Sequence, residues 1–145
     1  MVFRTNTAYD RWWEGRKVLG ALVNTSRNLA LKLNSFIPNN DTVLKKQNAQ
    51  LISNYVFSMK NHLRDKVVLN EIDFNDAISQ TEYEHVTHKP NLIAKKLFKE
   101  LKELNDKKMI SGEVYITIEH QVKELTDIVG KCERIKKTPI PYSYS

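Results

Sequence analysis

Apolar residues recur at steps of three and four along most of this chain, and that periodicity constrains the fold more than any other feature. Ile93, Leu97, Leu101 and Leu104 show it most cleanly, outlined by Lys and Glu. Such a stripe collects on one side of the chain when the backbone winds at about 3.6 residues per turn. Residues that would break the winding are few, with four glycines and four prolines. All the prolines fall between or beside periodic segments. Among the glycines only Gly112 does, while Gly15, Gly20 and Gly130 sit inside helical patterns.

The breaks divide the chain into four long helical segments. The first covers about Thr7 to Phe36, with Trp12, Leu19, Leu22, Val23, Leu29 and Leu33 as its stripe, and it stops at Ile37-Pro38-Asn39-Asn40. It is longer than most globular helices, as expected of a helix that extends from or into something else. Asp41 is placed to cap the second segment, whose face is Leu44, Leu51, Ile52, Tyr55, Val56, Met59 and Leu63. Arg64 to Lys89 is less regular, and a short helix is expected over Asp73 to Ser79. Pro90 suits the first turn of the third segment. Ser111-Gly112 makes the next break, with Ser111 a cap. Val114, Ile118, Val122, Leu125, Val129, Cys132 and Ile135 form the fourth stripe. The closing TPIPYSYS cannot continue a helix. The fold class is therefore all-α, an antiparallel helical bundle in one domain over residues 1–145, the first helix against the second and the third against the fourth.

Composition narrows the function. The formal net charge of +6 favours acidic partners. The basic residues come as separated pairs, however, and are not interleaved with aromatic residues as stacking platforms would be, so no nucleic acid is expected as a partner. Cys132 is the only cysteine, which excludes an intramolecular disulfide and fits a reducing compartment. No secretory signal follows Met1, and no run of roughly 18 apolar residues is present to cross a bilayer.

Catalytic chemistry finds no constellation. There is no glycine-rich phosphate loop, no nucleophile elbow and no paired-cysteine motif, so the chain is not expected to be an enzyme, and no cofactor is expected. His85 and His88, three apart, could share a helical face with Glu82 or Glu84, but the pair lacks a third ligand and a zinc-helix motif, so no metal is expected. His62 and His120 read as isolated polar residues.

The stretch AYDRWWEGRKVLGALVN sets Trp12 and Trp13 among Asp10, Arg11, Glu14 and Arg16. Neighbours on a helix point about 100° apart, so the two indoles cannot share a face. One is expected in a helical core and the other against a neighbouring helix or a wet boundary, where indoles with one polar handle are favoured. The flanking charges can pair locally or with another chain.

FRTNTAYDRWWEGRKVLGALVNTSRNLA, from Phe3 to Ala30, resembles the signature of the bestrophin family in its bacterial branch. GKCERIKKTPIPYSYS, from Gly130, resembles the same family's G-x-C-E-R-I-x-x-T-P-I-P segment, which here comprises Cys132, Glu133, Arg134, Pro139 and Pro141. The middle of the chain, about Asn40 to Gly112, matches only in helical character. Bestrophins are pentameric channels with four transmembrane segments per subunit. The resemblance implies that this chain is the cytoplasmic part between the second and third of them, on the inner face of the cell membrane. Trp12 and Trp13 would then lie just below the bilayer. It also implies self-association as a homopentamer and monovalent ions as the permeating species, with cation passage in bacterial members and chloride in animal ones. Counting from the Arg-Trp-Trp match places Phe3 at the inner end of the hydrophobic neck. Counting back about four turns from the Cys-Glu-Arg-Ile match places Ile116 at the cytosolic aperture, with Ile118 close behind. A soluble helical interaction module without a pore is the alternative.

Overall fold

The computed structural model describes residues 2–137, with side chains at position 10 and over 14–137. Its helices are α1 (Val2–Phe36), α2 (Thr42–Leu63), α3 (Gln80–His85), α4 (Lys89–Asp106) and α5 (Gly112–Lys137), with one 3₁₀ turn at Leu69–Glu71. No strand occurs among the described residues.

Cross-helix contacts give the topology. Tyr55 Oη donates to the Leu125 carbonyl, His62 meets Glu133, and Lys136 bonds Asp65, so α2 and α5 run the same way. Ala30, Leu33 and Ile37 face Lys45, Asn48 and Ile52, while Leu19 and Leu22 face Met59 and Leu63, so α1 is antiparallel to α2. His88 lies near Glu133, and Lys102 near Tyr115, which makes α4 antiparallel to α5. The four long helices thus form an up-down-up-down bundle. The expected pairs touch, but the larger interfaces are α1 on α5 and α2 on α4.

The stripes build the core. Leu29 and Leu33 from α1, Leu51, Tyr55 and Met59 from α2, Ile93, Leu97, Leu101 and Leu104 from α4, and Ile118, Val122, Leu125 and Val129 from α5 are all buried. Two members of the first stripe are not: Leu19 and Val23 are exposed, and Val18 is buried in their place. Trp12 belongs to the side chains outside the described set.

Three helix starts follow the sequence reading. Asp41 accepts the Leu44 N–H at 3.1 Å, Ser111 accepts the Val114 N–H at 3.2 Å, and Pro90 lies in the first turn of α4. Two helix ends do not show in the sequence. Asp65 (φ 53°) follows α2 and Lys108 (φ 57°) follows α4 in the left-handed conformation that glycine usually supplies. In each, two amides fold back to close the turn: Asp65 to His62 and Lys66 to Asn61, then Lys108 to Asn105 and Met109 to Leu104.

The helix expected over Asp73 to Ser79 does not form. Asn75 Oδ1 takes the Ala77 and Ile78 amides, at 2.8 and 3.3 Å, and the Asn75 amide bonds the Ile78 carbonyl. These local bonds satisfy the backbone in a turn, so no helix is needed to do it. Asn54 on α2 then clamps the segment, donating to the Asp73 carbonyl (2.9 Å) and accepting the Asp73 amide (2.8 Å). The helix starts later, where Ser79 accepts the Glu82 N–H at the head of α3.

Candidate pore-lining surface and polar cluster

The α5 helix carries both aperture candidates and places them oppositely. Ile118 is 0% exposed and packed in the core, whereas Ile116 is 61% exposed. Residues two apart on a helix lie about 200° apart, so one inward residue turns the other out. A fully buried side chain cannot face an aqueous axis, and Ile118 therefore drops out as a pore residue. Around Ile116, Glu119, His120 and Lys123 line a shallow depression of about 190 Å³.

At the α1–α2 edge, Leu19, Leu22, Val23, Val56, Met59 and Leu63 line an open groove of about 500 Å³, rimmed by Lys60 and Arg64. Its floor is apolar although it faces outward. Exposed apolar surface of this kind marks contact with another chain or with lipid. Nearer the start of α1, Asp10 and Glu14 are exposed. The side chains of Phe3, Arg11, Trp12 and Trp13, and Pro139 and Pro141 altogether, lie outside the described residues.

The Cys-Glu-Arg stretch closes α5. Cys132 is buried among apolar neighbours, and burial, seconded by the Glu133 charge, pushes its thiol up. A thiol so placed is a packing group and a poor nucleophile. Arg134 is exposed on the same turn. Glu133 reaches two imidazoles from other helices: His62 Nε2 at 3.3 Å and His88 Nε2 at 3.4 Å. The two rings stand 4.3 Å apart, tilted 47°. Partial burial alone would raise the Glu133 carboxyl, but the bonds from His62 and His88 outweigh it and hold the group below the ordinary range.

The pair anticipated from sequence, His85 with His88, is not what assembles. His85 turns to the Thr81 carbonyl at 2.7 Å and is exposed. His88 sits at the head of α4, where Nδ1 accepts the Asn91 N–H, and it meets His62 instead. His62 read as isolated because its partners lie 26 and 71 positions away in sequence, and no local spacing joins them.

Over residues 1–145 the chain matches a family model described as "Bacterial/Fungal Bestrophin protein". It belongs to the bestrophin family. Curated relatives are voltage-dependent anion channel-forming proteins: one of Nostoc sp. is 34% identical over 100% of this chain and 48% of its own length, and one of Synechocystis sp. is 32% identical over the same shares. The chain thus spans about half the length of the curated relatives it matches. Crystal structures of a bacterial bestrophin homolog from Klebsiella pneumoniae share the fold. An aspartate-to-alanine variant has a TM-score of 0.86 at 23% identity over 98% of this chain and 53% of that one, and a tyrosine-to-alanine variant has 0.87 at 22% over 97% and 53%. Bestrophins are ion channels and not enzymes, in keeping with the missing catalytic constellation.

Proposed function

We propose that this chain is the cytosolic helical part of a homopentameric bestrophin channel, joined to membrane segments at both ends and conducting ions passively across the bacterial inner membrane. The observation that carries the reading is the family match along the whole chain, which accounts for about half of each relative. No helix among the described residues is long and apolar enough to cross a membrane, so the membrane-crossing part is assigned to the rest of the protein. The α1 helix supports this: its 35 residues against 22 in α2 give it a rod of roughly 50 Å beside one of roughly 33 Å. The surplus at its start is where a helix descending from the bilayer would enter the bundle, with Trp12 and Trp13 at the junction and Phe3 at the inner end of the neck.

Ile116 is proposed to form the cytosolic aperture. Five copies around an axis would make an apolar ring, and such a ring impedes ions because a dehydrated ion meets no compensating ligand there. The α1–α2 groove, with Leu19 and Val23, is proposed as part of the contact between neighbouring subunits. The relatives' names favour anions as the permeating species, while the resemblance to bacterial bestrophins favours cations, and net charge does not decide because it says nothing about the pore lining. Reversal potentials in asymmetric salt decide between the two.

The test is Ile116→Ala in the full-length channel, reconstituted in bilayers. Altered conductance or selectivity with unchanged thermal stability is expected. A destabilised variant with unaltered permeation would return Ile116 to a packing role.

A further inference from the structure

His62, His88 and Glu133 are drawn from α2, the head of α4 and α5, and their ligand atoms all lie within 4.8 Å of one another. They lie more than four helical turns along α5 from Ile116, so the reading given to Ile116 does not use them. We propose that these three residues form a binding site for a zinc-like divalent transition metal, which would pin α2, α4 and α5 together.

The donor set points to that class of ion. Two imidazole nitrogens and one carboxylate suit zinc and its first-row neighbours, while calcium and magnesium take oxygen cages. The spacing fits as well. Zinc holds nitrogen and oxygen at about 2.0–2.2 Å in a tetrahedron, which puts ligand atoms about 3.3–3.5 Å apart. His62 Nε2 lies 3.3 Å from Glu133 Oε2, and His88 Nε2 lies 3.4 Å from the other oxygen, Oε1. With one ligand atom per residue the set lies within 4.8 Å, so small side-chain rotations bring it to that spacing. All three side chains are between a quarter and a third exposed, so an ion can enter and a water can fill the fourth position. Each ligand sits on a helix or at its cap, so little chain order is lost on loading.

One bond opposes loading. His88 Nδ1 accepts the Asn91 amide, so the neutral ring carries its proton on Nε2, where it can be shared with Glu133. A metal on Nε2 displaces that proton and leaves the other nitrogen protonated against the Asn91 N–H. Binding therefore requires the neutral ring to move its proton from Nε2 to Nδ1, with none released from His88, and gives up the side-chain cap of α4.

Chelator-treated 145-residue chain titrated with Zn²⁺ by calorimetry, and with Co²⁺ by visible absorption, tests the site. One ion per chain, a tetrahedral Co²⁺ band and a raised melting temperature with Zn²⁺ but not with Mg²⁺ are expected. His62→Ala and Glu133→Gln should each weaken binding at least tenfold. His88→Asn should do the same while keeping the α4 cap, because its side-chain oxygen can still take the Asn91 amide. His85→Ala and Cys132→Ala should bind as wild type does. No saturable binding, or binding unchanged in folded His88→Asn and Glu133→Gln, would overturn the proposal and leave a hydrogen-bonded cluster only. Either result leaves the channel reading untouched, because that reading is tested by ion currents.

Discussion

Replacing Asn54 by Ala should loosen the connection between α2 and α3 by a predictable amount. The Asn54 side chain is fully buried and makes two bonds to one backbone unit, donating to the Asp73 carbonyl and accepting its amide. Each such bond contributes about 1 kcal/mol net, and a buried polar group left unpaired adds a penalty of about 1–3 kcal/mol. Asp73 is itself exposed, so water can reach the groups that Asn54 abandons, and the penalty is small here. The expected cost is therefore about 2 kcal/mol, a fall of roughly 4–8 °C in melting temperature for a chain of this size. Asn54→Asp separates the two bonds. A carboxylate still accepts the Asp73 amide, but its second oxygen faces the Asp73 carbonyl with no proton between them. That variant should cost about as much near neutral pH and recover as acid restores a donor. Urea unfolding gives the energies, and hydrogen exchange at the Asp73 amide reports the clamp directly. A loss below about 0.5 kcal/mol for Asn54→Ala, or unchanged exchange at Asp73, would refute the reasoning.

Ile118→Ala should cost about 2–5 kcal/mol as a core truncation, while Ile116→Ala, on the exposed side of the same helix, should stay within about 0.5 kcal/mol by denaturant unfolding. Lys108→Gly should stabilise the chain by about 0.5–1 kcal/mol, because glycine occupies the left-handed position after α4 without the cost of a side chain; a melting curve reads this as a rise of a few degrees at most. Burial, with Glu103 beside it, raises the Glu100 carboxyl, and Asn48 and Lys107 oppose this only in part. The native state then holds its proton above the pH at which the unfolded chain releases it, so stability declines as pH rises through that interval. Glu100→Gln should raise the melting temperature at pH 7, and the gain should vanish below the ordinary carboxylate range; a gain independent of pH would show that charge is not its cause.

Helix type and core membership were legible in the sequence wherever the signal was local. The α4 stripe of Ile93, Leu97, Leu101 and Leu104 is wholly buried, and Asp41 and Ser111 cap as their chemistry suggests. Leu19 and Val23 fit the period of α1 yet face outward, because a stripe shows which residues share a side and not how far the partner helix extends along it. The ends of α2 and α4 were hidden because Asp65 and Lys108 occupy places where glycine is the usual signal. The helix expected over Asp73 to Ser79 lost to the bonds made by Asn75 and Asn54, the latter 19 residues upstream of the Asp73 backbone it holds. The polar cluster was illegible for the same reason: Glu133 meets His62 and His88 across three helices, and only folding joins them. Counting turns from a motif offered Ile116 and Ile118 alike as aperture candidates, and could not show that one is exposed and the other buried, because that depends on which side of α5 meets the core.

The central claim is that α5 borders the ion path at Ile116. Its most direct test is a cysteine at that position in the full-length channel in a planar bilayer, exposed to a charged thiol reagent during recording. The account predicts that modification of the Ile116→Cys channel changes the current promptly, while wild type, whose Cys132 is buried, and Ile118→Cys respond slowly or not at all. An unchanged current in Ile116→Cys, with mass spectrometry showing the thiol fully labelled, would contradict it.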